Sequence, residues 1–272
     1  MIPIVFVIVA LVTGLFVMHS RNKRTQRKKL LQSALTDEER RIVGTQAPLV
    51  RRLPQDLQSK LEGKISLFLE QVDFVGCDGL EITKEMQLSI AAQACILVVN
   101  TEAWYDTLRT ILVYPGAFKS KKMMQNGFVT AEKEIVRLGE SWARGPVILS
   151  WAHTVEGAEN DTDGQNVVLH EFAHQLDNLS GQTNGVPVLS KRQSFGDWER
   201  VILNAYERHL HNVQANRQTV LLAYGAENHQ EFFAVAIEAF LEKPMALKED
   251  EPEFYAQLST LLDLDPCTWK WS

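Results

Sequence analysis

The sequence predicts an α+β protein preceded by one transmembrane helix, on three observations. Strand-like pieces cluster mid-chain between helix-periodic segments. An apolar run at the N-terminus ends in a basic cluster. Later, the helix-periodic run Val167-Val168-Leu169-His170-Glu171-Phe172-Ala173-His174-Gln175-Leu176-Asp177 sets two histidines four apart among core-type side chains.

Residues 2–18 are apolar except where Pro3, Thr13 and Gly14 interrupt. That length is at the short end of the roughly 17–25 residues that span a bilayer. Arg21, Lys23, Arg24, Arg27, Lys28 and Lys29 follow directly. A cleavable secretory signal has its positive charge before the apolar run and small residues at its end. Here the charge comes after, and Phe16, Val17 and Met18 close the run. The positive-inside rule then predicts a single-pass protein of the inner (cytoplasmic) membrane, with the C-terminal domain facing the cytoplasm. The basic cluster would sit against anionic headgroups. The expected organisation is a transmembrane anchor at 1–19, a basic juxtamembrane linker at 20–34 and one domain at 35–272.

Within that domain, residues 36–43 read as a short helix opened by Thr36, with Glu39 three positions on. Pro54 starts a longer helix carrying Leu57, Leu61, Ile65, Phe68, Leu69 and Val72 on one face. Gly76-Cys77-Asp78-Gly79 breaks it from a helical stretch at 82–99. Strand-like pieces follow at 110–114, 127–130 and 146–151. Asp161-Thr162-Asp163-Gly164 supplies helix-start chemistry before the histidine helix. Residues 180–187 are loop, and helices at 195–213, 229–241 and 252–262 complete the chain.

Composition limits the function classes. Six of the 28 basic residues precede residue 30, leaving 22 against 34 acidic ones, a net of −12 for the domain. So acidic a domain argues against direct nucleic-acid binding. Cys77, Cys95 and Cys267 are odd in number and lack metal-type pairing, which suits reduced thiols.

The H-E-x-x-H segment carries the chemistry. Histidines four apart stack on one helical face, so His170 and His174 can reach one tetrahedral Zn2+. Glu171 sits about 100° around the helix, beside the metal, where it can take a proton from water. The form with a third histidine is excluded, because Asp177 and Ser180 stand where Gly and His are required. A surface or a capping role is open to Asp177. His19 lies in the N-terminal segment. His209 and His211 point to different faces of their helix and read as solvated, and His153 reads as a strand-end polar residue. The remaining third-ligand candidates lie in Tyr224-Gly225-Ala226-Glu227-Asn228-His229-Gln230-Glu231-Phe232-Phe233-Ala234-Val235-Ala236-Ile237-Glu238. Glu231 and Glu238, seven apart, share nearly one face, and spacing does not choose between them. His229 is a third option. Glu231 could instead close a capping box with Asn228.

This block, with Tyr seven residues before the first glutamate and Glu-Phe-Phe-Ala at it, resembles the Mlc titration factor A family of zinc-dependent peptidases. The resemblance extends through Val113-Tyr114-Pro115 with Phe118, Gly139-Glu140-Ser141-Trp142, the segment 145–151 and Gly185-Val186-Pro187. The block is also similar to the catalytic domain of anthrax lethal factor. The resemblance implies a zincin-like core (about 109–272) behind a helical lobe (about 35–108). It further implies zinc on His170, His174 and Glu231, with Glu171 as general base, Tyr224 stabilising the oxyanion, and Glu238 orienting a ligand histidine. A peptide or protein substrate follows. The segment 146–151 itself reads either as a strand edge to which such a peptide adds or as an ordinary interior strand. The family also implies a second function class, a regulatory protein that sequesters a transcriptional repressor. A membrane anchor would depart from the family pattern.

Overall fold

Thr36 and Glu39 open the first helix of the body through a reciprocal capping box, as their spacing predicts. In the computed structural model the backbone is described except at residues 1, 127, 128, 138, 142–144 and 272; side chains are also left aside at 2–12, 14–16, 119–137, 140 and 141. In order, the elements are helices α1 (Ile2–Leu31), α2 (Asp37–Gln46) and α3 (Gln55–Gln71), strand β1 (Asp73–Gly76) and helix α4 (Lys84–Ile96). Strands β2 (Thr110–Tyr114), β3 (Phe118–Asn126), β4 (Val129–Arg137), β5 (Gly139–Ser141) and β6 (Val147–Ser150) follow. Helices α5 (Trp151–Glu159), α6 (Val167–Asp177), α7 (Phe195–Gln214), α8 (His229–Glu242), α9 (Pro244–Asp250) and α10 (Pro252–Leu262) complete the chain.

The architecture differs from the expected α+β, zincin-like arrangement. The protein is mostly helical, with a small sheet in the order β1-β2-β6-β5. Three short parallel strands form it, with β5 antiparallel on the outside. Parallel neighbours need crossovers: α4 lies in the one between β1 and β2, and the β3–β4 hairpin and β5 lie in the one between β2 and β6. Strand β1 escapes the sequence reading because its four residues alternate only weakly in burial. The piece expected at 127–130 belongs partly to the β3–β4 hairpin, with Gly127 and Phe128 outside the described residues. Segment 146–151 splits into β6 and the first turn of α5, so His153 lies on a helix and its Nδ1 meets Ser150 Oγ at 2.7 Å.

The transmembrane helix and the inner-membrane, cytoplasm-facing placement are not supported either. Among the described residues no helix is long and apolar enough to cross a membrane. Most side chains of the expected span at 1–19 lie outside the described residues. Helix α1 runs on to Leu31, so its second half carries the basic cluster, and that half docks on the body. Arg27 pairs with Asp106 at 3.2 Å and lies over the Trp104 ring at 5.5 Å, while Gln26 donates to Glu70 at 2.9 Å. Leu30 and Leu31 pack against the core. Where α1 ends, a Cβ on Gly63 of α3 would stand inside the Leu31 carbonyl. Gly63→Ala should therefore push α1 off α3 and cost about 1–3 kcal/mol, read as a lowered midpoint in thermal unfolding.

One core joins the N-terminal helices to the rest. Helix α4 is buried on all sides from Leu88 to Ile96, and α8 from Phe232 to Glu242. Helix α6 lies between them. Its Phe172 meets Tyr105 edge-on at 5.0 Å and Phe68 at 5.7 Å, holding the opposite face toward α8.

Candidate metal centre

Two asparagine caps fix the helices that build the site. Asn166 Oδ1 accepts from the N–H groups of Val168 and Leu169, both at 3.1 Å, and starts α6. The start expected at 161–164 is instead the turn before it, where Asp163 Oδ1 accepts from Gln165 N at 2.9 Å. On α8, Asn228 Oδ1 accepts from Gln230 N at 2.9 Å and Glu231 N at 3.0 Å. The cap is thus present, while the Glu231 carboxylate turns to the histidines.

Glu231 Oε2 lies 3.0 Å from His170 Nε2 and 3.3 Å from His174 Nε2. One potential ligand atom from each of the three residues lies within 4.8 Å of the others. Two imidazole nitrogens and a carboxylate oxygen suit a borderline cation such as zinc. His170 Nδ1 faces Glu238 Oε2 at 3.1 Å, behind the triad. The geometry thus separates the two glutamates that spacing left equivalent. Burial alone would lower the pKa of His170, but the charge of Glu238, hydrogen bonds to Glu231 and Glu238, and the charge of Glu171 outweigh it and hold the imidazole well above its ordinary value. Burial would raise Glu231, yet the two histidines hold it far below the usual carboxylate range. The carboxylates that raise His170 also favour a cation among the three groups.

Glu171 is buried at 5% exposure against the sheet. A Cβ on Gly139 of β5 would meet Glu171 Oε1 at 2.5 Å and Cγ at 2.6 Å, so only glycine lets that strand pass so close. The Tyr224 ring lies 5.8 Å from that of His170 and is 46% exposed, on a 3-10 turn at Ala223–Ala226. The site therefore brings together His170, Glu171, His174, Tyr224, Glu231 and Glu238. The other histidines are not in the triad. His229 is exposed and lies tilted against the Tyr206 ring at 4.2 Å, and His211 is exposed. His209, read as solvated, is buried against Phe232.

Residues 20–262 match the profile of the glucose-regulated metallo-peptidase M90 family. The chain belongs to that family. Similar proteins include an uncharacterised protein of Synechocystis sp., 40% identical over 242 residues and covering 88% of each chain. Mlc titration factor A of Escherichia coli is 30% identical over 225 residues, 80% of this chain and 83% of its own. The Shigella flexneri protein of that name is 29% identical over the same extent. The resemblance drawn from the Tyr224–Glu231 block and its neighbours thus holds. An M90 metallo-peptidase implies a metal cofactor, and among the described residues the His170, His174 and Glu231 cluster could hold one.

Sequence reasoning missed a buried polar network behind this candidate site. Glu238 Oε1 accepts from Asn166 N at 2.8 Å. Asn166 Nδ2 donates to Gln93 Oε1 of α4 at 2.8 Å and to Glu242 Oε1 at 3.1 Å. Glu242 Oε2 accepts from Gly164 N at 3.0 Å. Burial drives the Glu242 carboxyl well above its ordinary value against the Asn166 hydrogen bond, with the Glu238 charge adding to the rise. A polar residue just before an apolar helix, and acids four apart inside one, are the signals that point to Asn166 and Glu242. Asp177 is fully buried, which removes the surface role open to it. Burial pushes its carboxyl up to about 6, against the backbone hydrogen bond from Gly185 and the charge of His174.

Proposed function

We propose that this protein is a zinc-dependent peptidase in which His170, His174 and Glu231 hold the metal. The observation that carries the reading is the single Glu231 oxygen facing the Nε2 atoms of both histidines. Bound zinc supplies Lewis-acid polarisation of the peptide carbonyl and lowers the pKa of water to about 7. Glu238 accepts the Nδ1–H of His170, which fixes the tautomer and leaves the Nε2 lone pair toward the triad. Glu171 is the general base: its carboxylate takes the proton of the attacking water and returns it to the leaving amine. The Tyr224 hydroxyl donates to the oxygen that gains negative charge. Strand β6 lies between β2 and β5, so the outer strand β5, beside Glu171, is the better support for an extended peptide than the edge first expected at 146–151.

Metal analysis of the purified full-length protein, with cleavage assays on a peptide library, tests the reading. We expect about one zinc per chain and hydrolysis that stops on chelation. Tyr224→Phe should lower turnover about a hundredfold and leave zinc content unchanged, because only the oxyanion donor is removed. A second reading, a regulatory protein that binds a transcriptional repressor, draws on the relatives named Mlc titration factor A. Zinc-replete protein that cleaves no peptide yet binds such a repressor would favour it.

A further inference from the structure

Both histidines turn Nε2 toward Glu231, so each sends Nδ1 back into the protein. For His170 that nitrogen meets Glu238. For His174 it is buried and has no hydrogen-bond partner. Buried polar groups almost always have partners, so an orphaned imidazole nitrogen behind a metal site calls for an acceptor. A second orphan lies three residues on along the same helix. Asp177 is fully buried and its Oδ1 has no partner. Residues three apart on a helix are surface neighbours, and the charge of His174 acts on Asp177. One orphan can donate and the other can only accept.

The second Asp177 oxygen is already engaged. Oδ2 accepts from Gly185 N at 2.7 Å. Gly185 has φ +80°, and a Cβ there would meet the His229 carbonyl oxygen at 2.7 Å. The loop thus seats against the first residue of α8, two positions before Glu231. Asp177 is bonded to a loop rather than to an end of its own helix, so it is not a cap.

We infer that Asp177 is the positioning residue of His174. Its Oδ1 accepts the His174 Nδ1–H, as Glu238 does for His170, and its Oδ2 ties that imidazole to the loop seated on α8. The inference rests on the metal site proposed above and gives each ligand histidine its own carboxylate.

Asp177→Asn separates positioning from scaffolding. Its amide oxygen can still accept from Gly185 N, but its N–H would face His174 Nδ1. That favours the tautomer with the proton on Nε2, the atom the metal needs. Zinc affinity of the full-length protein, read by competition with a chromophoric chelator, should fall about 10–100-fold. The unfolding temperature of the metal-free protein should scarcely move. In the zinc-loaded wild type, the His174 Nδ1 proton should be downfield and protected from exchange by NMR. Unchanged zinc affinity in Asp177→Asn would overturn the inference, as would a rapidly exchanging Nδ1 proton in the wild type. The second measurement decides alone if the variant fails to fold. A wild type that takes up no zinc removes the metal site and this inference together, whereas zinc-replete wild type with an indifferent Asp177→Asn removes only the inference.

Discussion

Glu171→Gln should leave a folded, metal-loaded protein that hydrolyses peptides at least about a hundredfold more slowly than wild type. The substitution keeps the volume of a side chain that is 5% exposed and pressed against Gly139, so packing at β5 is preserved. The three candidate ligands are untouched. What disappears is the carboxylate that accepts a proton as the nucleophile forms, and an amide has no comparable basicity. Turnover of a library-selected peptide, measured beside metal content, is the check. Wild-type turnover in the variant would take the general-base role away from Glu171.

The second large effect is on metal binding. His170→Ala, His174→Ala and Glu231→Ala should each abolish stoichiometric zinc uptake, since each removes one of three converging donor atoms. Glu238→Gln should weaken zinc by only about 10–100-fold, because it alters the hydrogen bond behind His170 and no donor atom. Mass spectrometry under native conditions and chelator competition distinguish the two classes. Zinc retained by Glu231→Ala but lost by Glu238→Gln would exchange the roles of the two glutamates.

What the sequence revealed of this arrangement is local. The capping box at Thr36, the bounds of α10 and the histidine pair on α6 follow from patterns within one helix. The site residues were nameable because the ligand motif and the Tyr224–Glu231 block are each continuous. Their division of labour was not, because Glu231 and Glu238 differ only in which nitrogen of His170 they meet across 61 and 68 residues. Gly139 stands in the sequence only as part of a family motif, and its closeness to Glu171 emerges once β5 is paired with β6. Gln93 reads as one polar residue in an apolar helix until it meets Asn166, 73 positions away. The apolar run at 2–18 carried the largest error. Hydropathy there suggested a bilayer, whereas the helix it begins continues into a charged half held by Asp106, Glu70 and Trp104.

The chain of hydrogen bonds from Gln93 through Asn166 and Glu238 to His170 has a consequence for biogenesis. Glu238 is set by Asn166, and Asn166 is held by a helix made early in synthesis, while Glu231 and Glu238 emerge late. At the proposed metal site the ion is therefore expected to lodge firmly only once α4 and α8 have both packed on α6. On the proposed metal site, uptake then follows folding, and a nascent chain that ends before α8 is expected to take up no stoichiometric zinc.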